Sequence, residues 1–91
     1  MKNIITEPMS LEEARKLGIA SWSHWECAPS TFDWEYAEDE TAYVLEGDVI
    51  VKTPDQDVHI TGGMLVTFPK GLKCIWEVRK TIKKVYTFNF K

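Results

Sequence analysis

The chain has few of the residues that announce common chemistries. It carries two cysteines and two histidines in 91 residues, and neither cysteine belongs to a Cys-x-x-Cys pair. Zinc-ribbon and thioredoxin-type readings are thereby excluded. Basic charge is not in excess: 11 Lys and Arg against 14 Asp and Glu leave a net −3. A nucleic-acid binder needs a basic stripe, and the short cluster Lys80-Thr-Ile-Lys-Lys84 reads instead as solvating an exposed turn. No apolar run approaches the roughly 20 residues of a membrane-spanning helix, and Met1 to Pro8 lacks the apolar segment of a signal peptide. The expectation is a cytoplasmic protein, without nucleic-acid or membrane partners, in which Cys27 and Cys74 are free thiols. Internal repeats, linkers and low-complexity segments are missing too, so residues 1–91 read as a single domain.

What the chain does have is aromatic mass and alternation. Trp22, Trp25, Trp34 and Trp76 are many for this length, enough to fill a small core without disulfides. An extended arm, Asn3 to Thr6, is closed by Pro8. One helix follows, with Ser10 as N-cap, Glu13 completing a capping box and Gly18 as the stop. Leu11, Ala14 and Leu17 form the stripe expected to dock it. From Ser21 onward the pattern is that of strands. Phe32, Trp34 and Tyr36 alternate with Asp33 and Glu35, giving an aromatic face expected to look inward and an acidic one facing out. Ala42 to Val51 reads as a strand pair or one long strand bent at Gly47-Asp48. Thr53 to Asp57 turns it into Val58–Thr61, Gly62-Gly63 makes the next turn, and Lys73–Val78 and Lys84–Phe90 are the last two strands. Short strands at about ten-residue spacing after a single helix indicate an all-β antiparallel sandwich or barrel. The arm and helix take residues 1–19 and the barrel residues 20–91.

Two stretches carry a resemblance. Glu40 and Gly47, with Tyr43-Val-Leu-Glu between them, have the separation of the first motif of the cupin superfamily. Gly63, Pro69 and Gly71 fit the second motif without a gap. Together with Trp25-Glu-Cys, Phe32-Asp-Trp, Leu65 to Cys74 and Trp76-Glu-Val, the chain resembles in particular the small RmlC-like cupins related to the (S)-ureidoglycine aminohydrolase cupin domain. The resemblance implies a jelly-roll (double-stranded β-helix) barrel with one short N-terminal helix, pairing as a homodimer, for which the arm offers a free sheet edge. It also implies a divalent ion held by two histidines and a glutamate of motif one and a histidine of motif two. Those histidine positions here carry Trp34, Tyr36 and Cys74; Val78 stands at the motif asparagine and Ala28 at the opening glycine. Only Glu40 survives as a hard ligand, and an indole N–H donates and cannot ligate. No metal cofactor is expected. Were manganese, nickel or zinc held, its ligands would be Glu40 with Cys74, joined by His24, Tyr36 or Glu38 swung inward.

The expected function follows from that substitution. The first reading is a metal-free cupin binding a small polar or amine-bearing metabolite in a pocket of Trp34, Tyr36, Glu40, Tyr43, Cys74 and Trp76. Glu40 is its candidate acid or base, set against a carboxylate that only accepts hydrogen bonds. Cys74 is a candidate nucleophile, set against a small hydrophobe filling a former ligand position. The aromatics form either a cage for a cation or sugar ring, or plain core. The alternative is a metal-dependent enzyme of ureidoglycine aminohydrolase type acting on a ureido substrate. Epimerase-like acid–base chemistry wants a His–carboxylate pair that cannot be placed. His24 and His59 read as surface residues, and the acidic run Glu35–Glu40 as a solvated rim that disfavours anions.

Overall fold

A computed structural model describes residues 3–90. Its elements are β1 (Ile5–Pro8), α1 (Leu11–Arg15), then β2 (Ser23–Cys27), β3 (Ser30–Glu35), β4 (Glu40–Lys52), β5 (Asp57–Thr61), β6 (Met64–Phe68) and β7 (Lys73–Phe88). The all-β expectation holds. The ladder runs β1-β6-β4-β7-β2, with β3 also on β7 and β5 also on β4, and every pairing is antiparallel. These pairings describe one folded-over sheet on an open path; they do not trace a hydrogen-bonded ring.

Two long strands organise this sheet. β4 lies against β7 along nearly its whole length, from Glu40↔Phe88 to Lys52↔Ile75. On its other side β4 takes β6 along Glu40–Val44 and β5 along Asp48–Lys52. β7 likewise takes β3 along Lys73–Val78 and β2 along Ile82–Tyr86. The ladder between β4 and β7 slips at Val44/Glu46, Glu46/Asp48 and Asp48/Val49, all around Gly47. Such bulges bend a strand and change which side chains face in. Before the bend Ala42 and Val44 are in the core; after it Val49 and Val51 are. Gly47 has φ +129°, and a Cβ there would lie 2.7 Å from the Ile82 Cα, so no larger residue fits this crossing.

Three expectations change here. The segment Lys73 to Phe88 is one continuous strand, so Lys80–Lys84 is not an exposed turn. The inward alternation of Cys74, Trp76 and Val78 is interrupted at Lys80, which is exposed, and resumes at Ile82 and Lys84, which are buried. The helix is also shorter than its sequence pattern. Ser10 and Glu13 form the expected capping box, but the helix ends at Arg15, and Gly18 (φ +88°) starts a 3-10 turn over Ile19–Ser21. Ala14 docks as expected, while Leu11 stays exposed. At the arm, β1 begins two residues later than expected and pairs with β6 of its own chain.

The core divides into two clusters on opposite faces. The larger holds Val49, Val51, Ile60, Val66, Phe68 and Ile82 with the aromatic group Tyr36, Trp76, Trp25 and Phe32. The smaller joins Ala14 and Ile19 to Trp22, Tyr43 and Val85, and seats the helix on the outer face of the sheet. Each fully buried aliphatic or phenyl side chain contributes about 1.5–3 kcal/mol.

Candidate functional site

β7 places Lys84 on the inward side, opposite Val44 of β4. Glu40, at the start of β4, lies on the same side as Val44, about 13 Å away at normal strand rise. The two long side chains close that distance. Lys84 Nζ donates to Glu40 Oε2 at 2.7 Å, and the residues are 6% and 5% exposed. The ammonium is ringed by aromatic faces, 4.8 Å from the Trp76 centroid, 5.0 Å from Trp25, 5.5 Å from Tyr86 and 5.6 Å from Phe68. At these distances each ring attracts the cation. Burial nevertheless pulls the Lys84 amine below its ordinary value, against the opposing pull of the Glu40 carboxylate.

The pair borders a cavity of about 130 Å³ lined by Trp25, Phe32, Trp34, Tyr36, Trp76, Tyr86 and Phe88. Its walls are stacked rings: Tyr36 on Phe68 at 4.7 Å and Phe32 on Trp76 at 6.2 Å, both nearly parallel. Trp76 Nε1–H donates to the Tyr36 hydroxyl at 3.2 Å, which fixes both side chains. Burial raises the Tyr36 phenol far above its ordinary value, with the Glu40 carboxylate adding to the effect. The turn of the second sequence motif braces this wall. Gly71, at φ +84°, donates its N–H to Tyr36 O at 2.7 Å, Tyr36 N–H bonds Leu72 O, and Lys70 N–H bonds Asp39 Oδ1 at 2.7 Å. The mouth is framed by Trp34 and Phe88, 51% and 52% exposed.

Of the residues expected in the pocket, Glu40, Tyr36, Trp76 and Trp34 meet there. Trp34 stands half exposed at the mouth instead of filling the centre, although Tyr36 two residues on is buried. Tyr43 does not belong. It follows Ala42 by one residue, so its side chain leaves by the other face, where its hydroxyl donates to Met9 O at 2.8 Å. Cys74 is buried but does not line this cavity; its thiol lies 3.7 Å from Trp34 O. It borders instead an open outer depression with Asp33, Lys52 and Pro54. Burial pushes its pKa up to about 11, so at neutral pH it is a thiol and a poor nucleophile. His24 is exposed on β2, out of phase with inward-facing Trp25, and Glu38 is exposed as well. The donor set therefore does not suit a divalent ion. Among the described residues no three His, Cys, Asp or Glu side chains converge, and an ammonium already holds the glutamate.

Lys84 is the residue that sequence reasoning missed. Parity was a partial signal at most, since Lys84 lies in step with Trp76, Val78 and Ile82 but so does exposed Lys80. For Cys74 the expected outcome is slow chemistry. With a disulfide reagent at pH 7, half-buried Cys27 reacts first and Cys74 only at the rate of unfolding. Raising the pH toward 11 accelerates it only as that thiol ionises. A Cys74 reacting as fast as Cys27 in the folded protein would contradict this placement.

Comparison with known proteins bears on the family and the fold. The family described as EutQ-like cupin domain matches residues 14–86. A DUF861-family protein of Thermotoga maritima has a structure with TM-score 0.89 and 41% identity, covering 94% of this chain and 99% of that one. The EutQ protein of Clostridium difficile has TM-score 0.65 and 26% identity over 93% of this chain and 66% of that one. In sequence, a protein named acetate kinase EutQ from Clostridioides difficile strain 630 is 31% identical over 77 residues, or 85% of this chain. The chain spans about half (47%) of that curated relative's length. These matches support the cupin superfamily, and the narrower ureidoglycine aminohydrolase branch is not what they show. By the extent of the match from helix to last strand, the chain belongs to the EutQ-like cupin family.

Proposed function

We propose that this cupin is a metal-free receptor for a small, neutral, carbonyl-bearing metabolite, which it binds between the Lys84–Glu40 pair and the aromatic wall. The observation that carries the proposal is the buried ion pair at the edge of a cavity that opens to solvent. Lys84 has three N–H donors, and the bond to Glu40 uses one. A carbonyl oxygen suits a remaining donor, and a flat substituent suits the face of Trp34 or Tyr36. The volume of about 130 Å³ is that of about four waters, which limits the guest to a few non-hydrogen atoms.

Charge decides between guests. The pair is neutral as a unit, so an anionic guest leaves a net charge buried among rings, and the exposed Glu35, Glu38 and Asp39 disfavour its approach. An amine guest must displace the Lys84 ammonium from the ring of aromatics it already occupies. Neutral amides, ureido compounds, aldehydes and ketones meet neither obstacle. The relative named acetate kinase EutQ carries a two-carbon carboxylate in its name, which agrees in size and differs in charge.

Calorimetric titration with propionamide tests the reading. Saturable one-to-one binding is expected, weakened roughly fivefold in Trp34→Ala through loss of one stacking face. Protein incubated with manganese, nickel or zinc and then desalted is expected to retain far less than one ion per chain. Stoichiometric metal lost on Glu40→Gln, or an affinity indifferent to Trp34, overturns it.

A further inference from the structure

We infer that Lys84 is a reactive amine, and that it condenses reversibly with small aldehydes or ketones entering past Trp34 and Phe88 to form an imine inside the aromatic pocket. The inference deepens the proposed function and rests on it, since the carbonyl group that is bound becomes the group that reacts.

Geometry supplies each requirement. The nucleophile borders the cavity, and so does a proton acceptor, the Glu40 carboxylate, 2.7 Å from Nζ. Transfer of one ammonium proton to Glu40 gives a neutral amine beside a carboxylic acid, with no net charge created in the apolar surroundings. The amine lone pair forms the C–N bond to the carbonyl carbon, and the carbonyl π pair moves to oxygen. Glu40 returns its proton to that oxygen and, again a carboxylate, takes the remaining extra proton from nitrogen, giving a neutral carbinolamine beside a carboxylic acid. The hydroxyl takes that proton back from Glu40 and leaves as water while the nitrogen lone pair closes the C=N bond, leaving a protonated imine beside the Glu40 carboxylate. Amine and carbonyl become imine and water, with no oxidant or reductant consumed. The faces of Trp76 and Trp25, at 4.8 and 5.0 Å, suit the cationic iminium as they suit the ammonium. The lowered proton affinity of Lys84 raises the share of free amine near neutral pH. No second nucleophile competes among the described lining residues, since Cys74 lies outside the cavity.

Reductive trapping reads this out on the intact protein. Propanal and sodium cyanoborohydride are added at neutral pH, and alkylated lysines are located by peptide mass mapping. Lys84 is expected to be modified roughly tenfold faster than exposed Lys70 or Lys73, and to slow by a similar factor in Glu40→Gln, the loss of proton transfer outweighing the larger share of free amine that removing the carboxylate gives, while those two lysines keep their rates. Propionamide, which fits the same space and cannot condense, is expected to protect Lys84 alone. If propionamide binds but propanal labels Lys84 no faster than the surface lysines, the imine inference fails and the receptor reading stands. If propionamide does not bind and Lys84 is not labelled, both fail.

Discussion

Lys84→Met is expected to cost about 3–5 kcal/mol, because it strands the Glu40 carboxylate among aromatic rings without a counter-charge. A domain of this size has about 5–10 kcal/mol of stability in all, so the variant sits near the edge of folding. Replacing both partners, Lys84→Met with Glu40→Leu, is expected to recover most of the loss, since a buried pair and an apolar pair of similar volume are often close in free energy. Urea denaturation of wild type, both single variants and the double variant gives the coupling directly. Coupling near zero would mean that the pair is not formed in solution. The pH dependence has a definite sign. Burial lowers the Lys84 proton affinity in the folded state, so the unfolded chain binds that proton more tightly. Stability from this group therefore grows as pH rises from the lowered folded value toward 10.5, and that slope is absent in Lys84→Met.

Trp76→Ala is the second large effect, about 3–5 kcal/mol, with loss of the pocket as well. Trp76 is 2% exposed and packs on Trp25, Phe32 and Phe68 at centroid distances of 5.8, 6.2 and 5.7 Å. Its removal leaves a cavity, strips the nearest ring from Lys84 and frees the Tyr36 hydroxyl from its donor. Trp76→Phe separates these contributions. It keeps a ring, loses the N–H to Tyr36, and is expected to cost about 1–2 kcal/mol. Denaturation midpoints of the two variants test the ranking; equal losses would place the hydrogen bond, rather than packing, in control.

The fold was legible because it rests on spacing. Glu40 to Gly47 and Gly63 to Gly71 mark a bend and a turn, and the structure uses them so, with Gly47 at the crossing with Ile82 and Gly71 bracing Tyr36. The site was half legible. Glu40, Tyr36, Trp76 and Trp34 meet, yet the parity that sends Glu40 inward also sends Tyr43 outward, and that step was open to inspection. Lys84 was harder to see. Lys80, Lys83 and Lys84 together have the hydropathy of a turn, and Lys80 and Lys83 are indeed exposed. Only the tertiary partner, a glutamate 44 positions away, distinguishes the third lysine from its neighbours.

Lys84 stands within β7, on the long ladder with β4, whereas Trp34 and Phe88 stand at or next to strand ends. That division has a consequence for motion. Backbone opening at Lys84 requires β4 and β7 to part, which amounts to global unfolding, so amide exchange there is expected to be slow. Ring rotation at the two exposed aromatics takes picoseconds to nanoseconds. Under the proposed function a guest would enter through a fast gate onto a static floor, its residence time set by the contacts it makes and not by any opening of the sheet.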